Sequence, residues 1–330
     1  MAEPSLDTQQ IILGIMKRYG ARCTPEEFQA AVNVTFHDFE SQVYDEAHAD
    51  MWASLPRQFT LLIDDCLSKY PGLLEKARVL DIGAGTGLAS SCLLETAIGP
   101  RVVSIDLLDT SEAMLKQAIR RSARWNLPVQ AHLGLIDDLP PGNKYEIIVT
   151  CSVLHHVPDL QAFFGKVREH QAPGGIFMHL QDPNLEFVRK SESDRSFSKQ
   201  LKRRVLDHFA RFRPGRIYGR ISRELTGKQG QDYVSRTNRA LLEAGVITSP
   251  LKVADLYAIT DIHASNGRGI SIEQIRGWVP DYECLSQRSY GFFGKLWSHL
   301  PPDLKVEEER LSQANTLSGA HIAAAWRLKG

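Results

Sequence analysis

The sequence predicts an α/β protein with a doubly wound, mostly parallel sheet of seven strands, an amino-terminal helical lid and a helical insertion after the fifth strand. From residue 77, short apolar runs such as ARVLDIG and RVVSIDLLD alternate with amphipathic stretches. This alternation is typical of parallel strands joined by crossover helices. It stops between Pro183 and about Gly269, which indicates the insertion. Two later segments, YECLSQRSYGFF and AHIAAAWRLK, are expected to be strands that complete the sheet.

The amino-terminal region is expected to be helical. Apolar residues recur there at helical spacing, and Thr24, Pro25 and Glu27 form a capping-box start for a second helix. The charged segment PPDLKVEEERL is expected to be a linker between the last two strands. These patterns divide the chain into a lid region at 1–70, a sheet core at 71–183, an insertion at 184–270 and carboxyl-terminal strands at 271–330.

The composition excludes several classes of protein. The 39 basic and 39 acidic residues balance, whereas non-specific nucleic-acid binders carry excess positive charge. The 5 cysteines are odd in number and contain no Cys-x-x-Cys pair, so neither a disulfide framework nor a zinc knuckle is expected. No apolar run approaches the ~20 residues of a membrane span. We therefore expect a cytoplasmic protein that spans no membrane and for which nucleic acid is not an expected partner; its oligomeric state is undetermined.

The strongest local motif is VLDIGAGTG, in which an apolar strand ends at Asp81 and three glycines follow. Gly83, Gly85 and Gly87 have no Cβ, so the backbone can turn sharply and approach a ligand closely. A dinucleotide-binding fingerprint would place its third glycine at position 88, where this chain has Leu88. The spacing is therefore Asp-x-Gly-x-Gly-x-Gly.

This motif, followed by LLDTSEAML and IIVTCSVLHHVPD, resembles the motifs of class I, Rossmann-like S-adenosylmethionine methyltransferases. The resemblance is to the small-molecule branch that includes ubiquinone- and menaquinone-biosynthesis-type enzymes, and it covers roughly residues 40–183. It implies S-adenosylmethionine as the cofactor and a final strand antiparallel to the others. In this family the glycine loop packs on the methionine end of the cofactor, and the preceding acidic residue, here Asp81, helps to hold its amino group.

The resemblance also assigns residues to the ribose and adenine. Asp109 corresponds to the carboxylate that accepts both ribose hydroxyls, with Asp106 as an alternative. Met114 packs either against adenine or in an ordinary helix core.

Adenine recognition departs from the family pattern. Leu135 stands where relatives have an acidic acceptor, so we expect Leu135 and Ile136 to clamp the ring, with Asp137 as an alternative acceptor. Cys151 follows the fourth strand, at the edge where open α/β sheets bind ligands, and is also assigned to the cofactor.

Methyl transfer is an in-line displacement that needs at most one base. The candidates follow strands that end near the cofactor: His155, His156, Asp182 and His179, of which His179 is also a candidate substrate contact. His155 is the first choice because histidine titrates near neutral pH. The alternative is that His155 and His156 only line the pocket or cap the helix that follows.

Further residues are expected around the substrate. Tyr44 matches a tyrosine that closes over the methionine moiety in relatives, and His48 and Trp52 are expected beside it. Asp261 and His263 are expected to contact the substrate; no third ligand lies nearby in sequence, so no metal site is assigned.

The insertion contains the basic run KQLKRRVLDHFARFRPGRIYGR. One interpretation is a solvated helix face; the others are an anionic substrate held by Arg211, Arg213 and Arg216, an acidic carrier protein, or RNA.

These observations predict methyl transfer to the oxygen, nitrogen or carbon of a small metabolite. Two alternatives stay open, because a fold and a cofactor pocket do not define a reaction. One is cofactor binding for regulation or assembly, and the other is a non-methylating reaction on the same fold.

Overall fold

The computed structural model describes residues 4–193, 231–264, 269–293, 300–314 and 316–329. Its strands follow the predicted apolar runs. They are β1 (Ala77–Ile82), β2 (Val102–Asp109), β3 (Val129–Leu133), β4 (Tyr145–Cys151), β5 (Gln171–Pro183), β6 (Tyr282–Tyr290) and β7 (His321–Leu328).

The seven strands form one sheet in the order β3-β2-β1-β4-β5-β7-β6. Strands β1 to β5 pair in parallel, and β7 lies antiparallel between β5 and β6. The predicted seven-stranded, mostly parallel sheet with an antiparallel final strand is confirmed. The chain order reverses at β1, so the carboxyl ends of β1 and β4 border the crevice in which open α/β sheets bind ligands.

The described helices alternate with the strands in the core and cluster at the amino end and in the insertion. None of those helices is apolar over a stretch long enough to cross a bilayer. They are α1 (Pro4–Tyr19), α2 (Pro25–Glu40), α3 (Tyr44–Ala47), α4 (Ala49–Lys69), α5 (Leu88–Leu94), α6 (Glu112–Ser122), α7 (Leu160–His170), α8 (Leu185–Ser193), α9 (Gln231–Glu243), α10 (Val253–Thr260), α11 (Ile272–Trp278) and α12 (Pro302–Gln313).

A hydrophobic core lies on each face of the sheet. One core includes Phe59 of α4 and Leu93 of α5. The other includes Phe164 of α7, Ile275 of α11 and Trp326 of β7. Because successive strand residues point to opposite faces, β1 supplies both cores, and helices cover the sheet on both sides.

A third core joins helices that are far apart in the sequence. Phe28 and Phe36 of α2 pack with α9 and α10 of the insertion, and Phe36 makes edge-to-face contacts with Tyr233 and Tyr257 at centroid distances of 5.3 and 5.8 Å. Helix α4 instead packs on the sheet. Helices α1 and α2 therefore belong to the third core, whereas α4 belongs to a core of the sheet.

The expectation of a linker between the last two strands is wrong. Most of PPDLKVEEERL belongs to α12, which begins at Pro302. Proline suits the first turn of a helix, because its missing N–H would have no intrahelical partner there. Leu304 and Ser312 are buried and dock this charged helix on the protein.

The third core predicts a large effect of truncating Phe36, which is 3 % exposed. Phe36→Ala should lower the free energy of unfolding by about 3–5 kcal/mol, because it leaves a cavity between α2 and the insertion. Leu13→Ala, at a side chain that is 50 % exposed, serves as the control and should change stability by less than about 0.5 kcal/mol. Equal midpoints for the two variants in urea denaturation would contradict this packing.

Candidate functional site

The glycine loop packs tightly against the segment after β4. Gly83, Gly85 and Gly87 have φ angles of +64°, +53° and +84°, in the left-handed region that favours glycine. A Cβ on Gly83 would lie 2.4 Å from Cγ2 of Val153. Gly83 is therefore required both for the turn and for close contact between the ends of β1 and β4.

Asp81 is fully buried at the end of β1. Its Oδ2 accepts hydrogen bonds from the Ser90 backbone N at 3.1 Å and from Ser90 Oγ at 2.6 Å. Its Oδ1 has no hydrogen-bond partner among the described residues. Burial raises the pKa of Asp81 to about 7, although the Ser90 hydrogen bonds oppose this shift. The Asp81 carboxyl group therefore has one oxygen without a hydrogen-bond donor in the described part of the chain, and its raised pKa shows that no cation there stabilises its ionised form. A cationic ligand group such as an ammonium would supply both.

Asp109 lies directly beside the glycine loop. Its Oδ2 accepts from Gly85 N and its Oδ1 from Ser111 N, both at 2.8 Å. Burial raises the pKa of Asp109, and the backbone donors partly offset that effect. The competing carboxylate of Asp106 is already hydrogen-bonded to Tyr145 Oη at 2.7 Å and His132 Nε2 at 3.1 Å. Asp109 is therefore the better placed of the two for a ligand in the crevice.

The residues assigned to adenine are in different environments. Leu135 is 59 % exposed, and its assignment to adenine stays a prediction. Ile136 is buried in the core that contains Phe164, so its side chain packs within the protein. Met114 is 2 % exposed, which agrees with the helix-core alternative. Asp137 forms an ion pair with Lys166 at 3.2 Å.

The segment around α3 covers the glycine loop. Asp45 Oδ1 accepts from Thr86 Oγ1 at 2.7 Å and from Trp52 Nε1 at 3.2 Å, and Arg121 donates to Asp45 Oδ2. The Arg121 guanidinium lies 4.3 Å from the centre of the Trp52 ring. Trp52, assigned from sequence to the substrate, thus helps to hold this segment on the loop.

Beneath this cover lies a cavity of about 20 Å³, lined by Tyr44, Met51, Gly83, Gly85, Thr86 and Cys151 among others. Ligand pockets for drug-sized molecules are roughly 300–1,000 Å³, so the cover must move to admit a nucleoside. Burial raises the pKa of the Cys151 thiol well above its usual value, which keeps it a neutral wall residue.

A bulge in β5 determines where Asp182 points. Leu180 pairs with Ala323 and Asp182 pairs with Ile322, so Gln181 is an extra residue between them, at φ +67°. Without it, Asp182 would face the same side as Leu180. The bulge turns Asp182 to the opposite face, where the segment after β4 lies.

There Asp182 binds His155. Its Oδ1 accepts from His155 N at 3.2 Å and pairs with His155 Nδ1 at 2.9 Å. Asp182 is fully buried and His155 is 8 % exposed. Tyr290 Oη donates to Gln181 Oε1 at 2.8 Å and stabilises the bulge. A neutral His155 that donates from Nδ1 keeps a lone pair on Nε2, as a general base requires.

The assignment of His179 to the substrate or to catalysis is not supported. Its ring is fully buried and lies between Phe177 and Trp326, at centroid distances of 5.9 and 6.5 Å. Burial lowers the pKa of His179 to about 4, although Asp182 opposes this shift. Because the His179 ring has no exposed surface and lies between two aromatic rings, a substrate cannot contact it.

The structure adds His37 and Glu40 of α2, which the sequence analysis did not select. Glu40 Oε2 pairs with His37 Nδ1 and Glu40 Oε1 with His48 Nε2, both at 3.1 Å. Burial raises the pKa of Glu40, but hydrogen bonds from both histidines outweigh it and lower the pKa to about 2. Burial lowers the pKa values of His37 and His48, and Glu40 more than compensates, so both are raised. The Tyr44 ring lies 4.5 Å from that of His48.

Residues 260–263, at the end of α10 and just after it, contact the His155–His156 turn. His263 N donates to His155 O at 3.0 Å, and His156 Nδ1 lies 2.6 Å from Thr260 O and 3.5 Å from Asp261 Oδ1. Burial lowers the pKa of His156 well below its usual value. Asp261 and His263 therefore lie beside the turn that contains the candidate bases His155 and His156. Arg211, Arg213 and Arg216 lie outside the described residues.

The part of the chain that contains the glycine loop and β4 is similar to known proteins. Residues 80–177 match a family model described as a methyltransferase domain. An Ubiquinone biosynthesis O-methyltransferase of Paramagnetospirillum magneticum is 31 % identical over 104 residues, which are 32 % of this chain and 40 % of that protein. Its counterpart from Rhodopseudomonas palustris is 31 % identical over 111 residues, 34 % of this chain and 42 % of that protein.

The chain thus spans less than half the length of these curated relatives. Among solved structures, it is similar to a putative sarcosine dimethylglycine methyltransferase from Galdieria sulphuraria. That comparison has 14 % identity and a TM-score of 0.46, and covers 83 % of this chain and 86 % of the other.

The cluster of His37, Glu40 and His48 predicts a pH-dependent contribution to stability. Because the pKa values of His37 and His48 are raised in the folded protein, their protonation stabilises the fold fully below about pH 6.5. This contribution is lost as the pH rises through the pKa values of the two histidines in the folded protein. The lowered Glu40 pKa contributes above its usual value of 4.5 and is lost as pH falls towards about 2. Glu40→Gln should therefore cost about 3 kcal/mol near pH 6 and clearly less near pH 9.

Urea denaturation at both pH values measures this difference. Glu46→Gln, at an exposed position, is the control and should have little effect at either pH. An equal loss in Glu40→Gln at the two pH values would show that the histidines carry no charge in the folded protein.

Proposed function

We propose that the whole chain transfers a methyl group from S-adenosylmethionine to a small molecule, since residues 80–177 match a family model described as a methyltransferase domain. The observation that carries the proposal is the pairing of His155 with Asp182 at the sheet edge that also carries the glycine loop. Val153 contacts Gly83 and lies two residues before His155, so the proposed base follows directly on a segment that packs against the glycine loop.

The cofactor would bind along the glycine loop. Asp109, hydrogen-bonded to Gly85, is the proposed ribose ligand, and the unpaired Oδ1 of Asp81 is the proposed acceptor for the ammonium group. Tyr44 and Met51, which line the cavity over the loop, would cover the methionine end. When bound, the cofactor supplies a methyl group on a positively charged sulfur.

His155 would then act on the acceptor. Asp182 holds its Nδ1–H, and Nε2 takes the proton from the acceptor as the new bond to the methyl carbon forms. The cofactor would give up the methyl group and leave as S-adenosylhomocysteine, whose sulfur would keep the electrons of the broken carbon–sulfur bond. The buried Asp182 stabilises the imidazolium that results.

The acceptor is proposed to be a small metabolite with an ionisable proton. The two relatives described above are O-methyltransferases, so a hydroxyl is the first acceptor to test, before nitrogen or an acidic carbon. An anionic acceptor would suit the arginines of the insertion, at positions outside the described residues. A reducing, cytoplasmic environment would suit the 5 free cysteines.

The direct test is formation of S-adenosylhomocysteine when the purified protein receives S-adenosylmethionine and a fractionated metabolite extract. Product that depends on one fraction supports methyl transfer and leads to the acceptor. Tight cofactor binding without product from any fraction would favour a regulatory or assembly role. Consumption of the cofactor without methylation of any metabolite would favour a different reaction.

Cofactor affinity is expected to depend on pH through Asp81. With a pKa of about 7 in the free protein, Asp81 is partly protonated, and a bound ammonium group favours its ionised form. Binding should release a proton, and affinity should rise by up to about tenfold from about pH 6 to about pH 8. Calorimetry in two buffers of different ionisation enthalpy measures the proton. Asp81→Asn should bind more weakly and without this pH dependence; a dependence kept in the variant would remove Asp81 from the ammonium site.

Turnover is expected to depend on His155. His155→Asn should reduce kcat by about 10²–10⁴-fold, because it removes the proton acceptor, and should leave cofactor affinity within about twofold. His132→Asn disrupts a histidine–carboxylate pair with Asp106 away from the turn and serves as the control. Wild-type turnover in His155→Asn would show that transfer needs no base at this position.

A further inference from the structure

We propose that His155, His156 and Asp261 form a binding site for a divalent transition-metal ion of the zinc or nickel class. One ligand atom from each residue lies within 4.8 Å of the other two. Ligands placed about 2.0–2.2 Å from a zinc ion lie within roughly 4.4 Å of one another, so only small side-chain shifts would close this set around an ion. Two imidazoles and one carboxylate are ligands that zinc and nickel both accept.

The hydrogen bonds around both rings are those of metal-binding histidines. Such a histidine usually donates one ring N–H to a carboxylate or a backbone carbonyl, which orients the other nitrogen towards the metal. His155 uses Nδ1 with the carboxylate of Asp182 at 2.9 Å, and His156 uses Nδ1 with the carbonyl of Thr260 at 2.6 Å. In both rings Nε2 is then the nitrogen for the ion.

The third ligand comes from a separate part of the chain. Asp261 follows the last residue of α10, and α10 is held against α2 by the core around Phe36. Its Oδ1 lies 3.5 Å from His156 Nδ1, the nitrogen that faces Thr260, so the Asp261 carboxylate must turn towards Nε2 to bind the ion. His263 N donates to His155 O at 3.0 Å and fixes the distance between the two segments. The ligands therefore stand on backbone that is already joined, as a preformed site requires.

Three protein ligands leave coordination positions open, as in a site that exchanges its ion or accepts a small molecule. If the proposed methyl transfer holds, an ion on His155 Nε2 occupies the lone pair that removes the acceptor proton. The metal-bound protein then lacks its base, and turnover falls with metal occupancy. This consequence rests on the proposed function, whereas metal binding does not.

The test is calorimetric titration of the chelator-treated protein with Zn²⁺, and with Co²⁺ for its ligand-field absorption. Wild-type protein should bind one ion per chain at this site. His156→Gln and Asp261→Asn should each weaken binding by at least about tenfold, because each removes a ligand. The control is His132→Gln, which alters the histidine–carboxylate pair with Asp106 and should bind as wild type does. Thermal unfolding confirms that each variant folds.

Failure to bind Zn²⁺ and Co²⁺, or equal affinity in wild type, His156→Gln and Asp261→Asn, would overturn the proposal. Neither titration contains cofactor or acceptor, so the result is independent of methyl transfer. Once an acceptor is identified, the ratio of turnover with and without Zn²⁺ should be lower in wild type than in Asp261→Asn.

Discussion

The contact of Gly83 with Val153 is the constraint on which the proposed active site depends. A Cβ at residue 83 would approach Val153 to 2.4 Å, and the backbone there has φ +64°. The glycine loop can therefore lie directly on the segment that continues into His155. The same loop offers Gly85 N to Asp109, so one close approach links the proposed cofactor ligands to the proposed base. A side chain at this position would separate the two halves of the site.

Local patterns predicted the sheet well because each strand can be recognised from its own short sequence. The apolar runs and the glycine turn after β1 needed no long-range information. The third core could not be predicted in this way, because Phe36 contacts Tyr233 and Tyr257, which lie about 200 residues away in the sequence. The spacing of apolar residues within one helix does not indicate such a contact. The helix α12 was missed because its charged surface dominates its composition, although Pro302 marked its start.

The site was predictable where it lies on the motif strands. Asp109 is the last residue of β2, and His155 lies in the turn after β4; the apolar runs locate both strands. His37 and Glu40 were missed, although their spacing of three in a helix places them on one face. His179 was assigned from its place on β5, and the sequence alone does not show that its ring lies between Phe177 and Trp326. The bulge at Gln181 has no local signature, because a glutamine at φ +67° is held there by tertiary contacts.

A crystal structure with S-adenosylhomocysteine is the most direct test of the proposed active site, because it locates the sulfur from which the methyl group departs. In that structure both ribose hydroxyls should bind the Asp109 carboxylate, and the amino group should contact Asp81 Oδ1. The sulfur should face His155 Nε2, and the segment around α3 should be displaced from the loop. A ligand bound away from the glycine loop, or a sulfur that faces away from His155, would contradict the proposed active site.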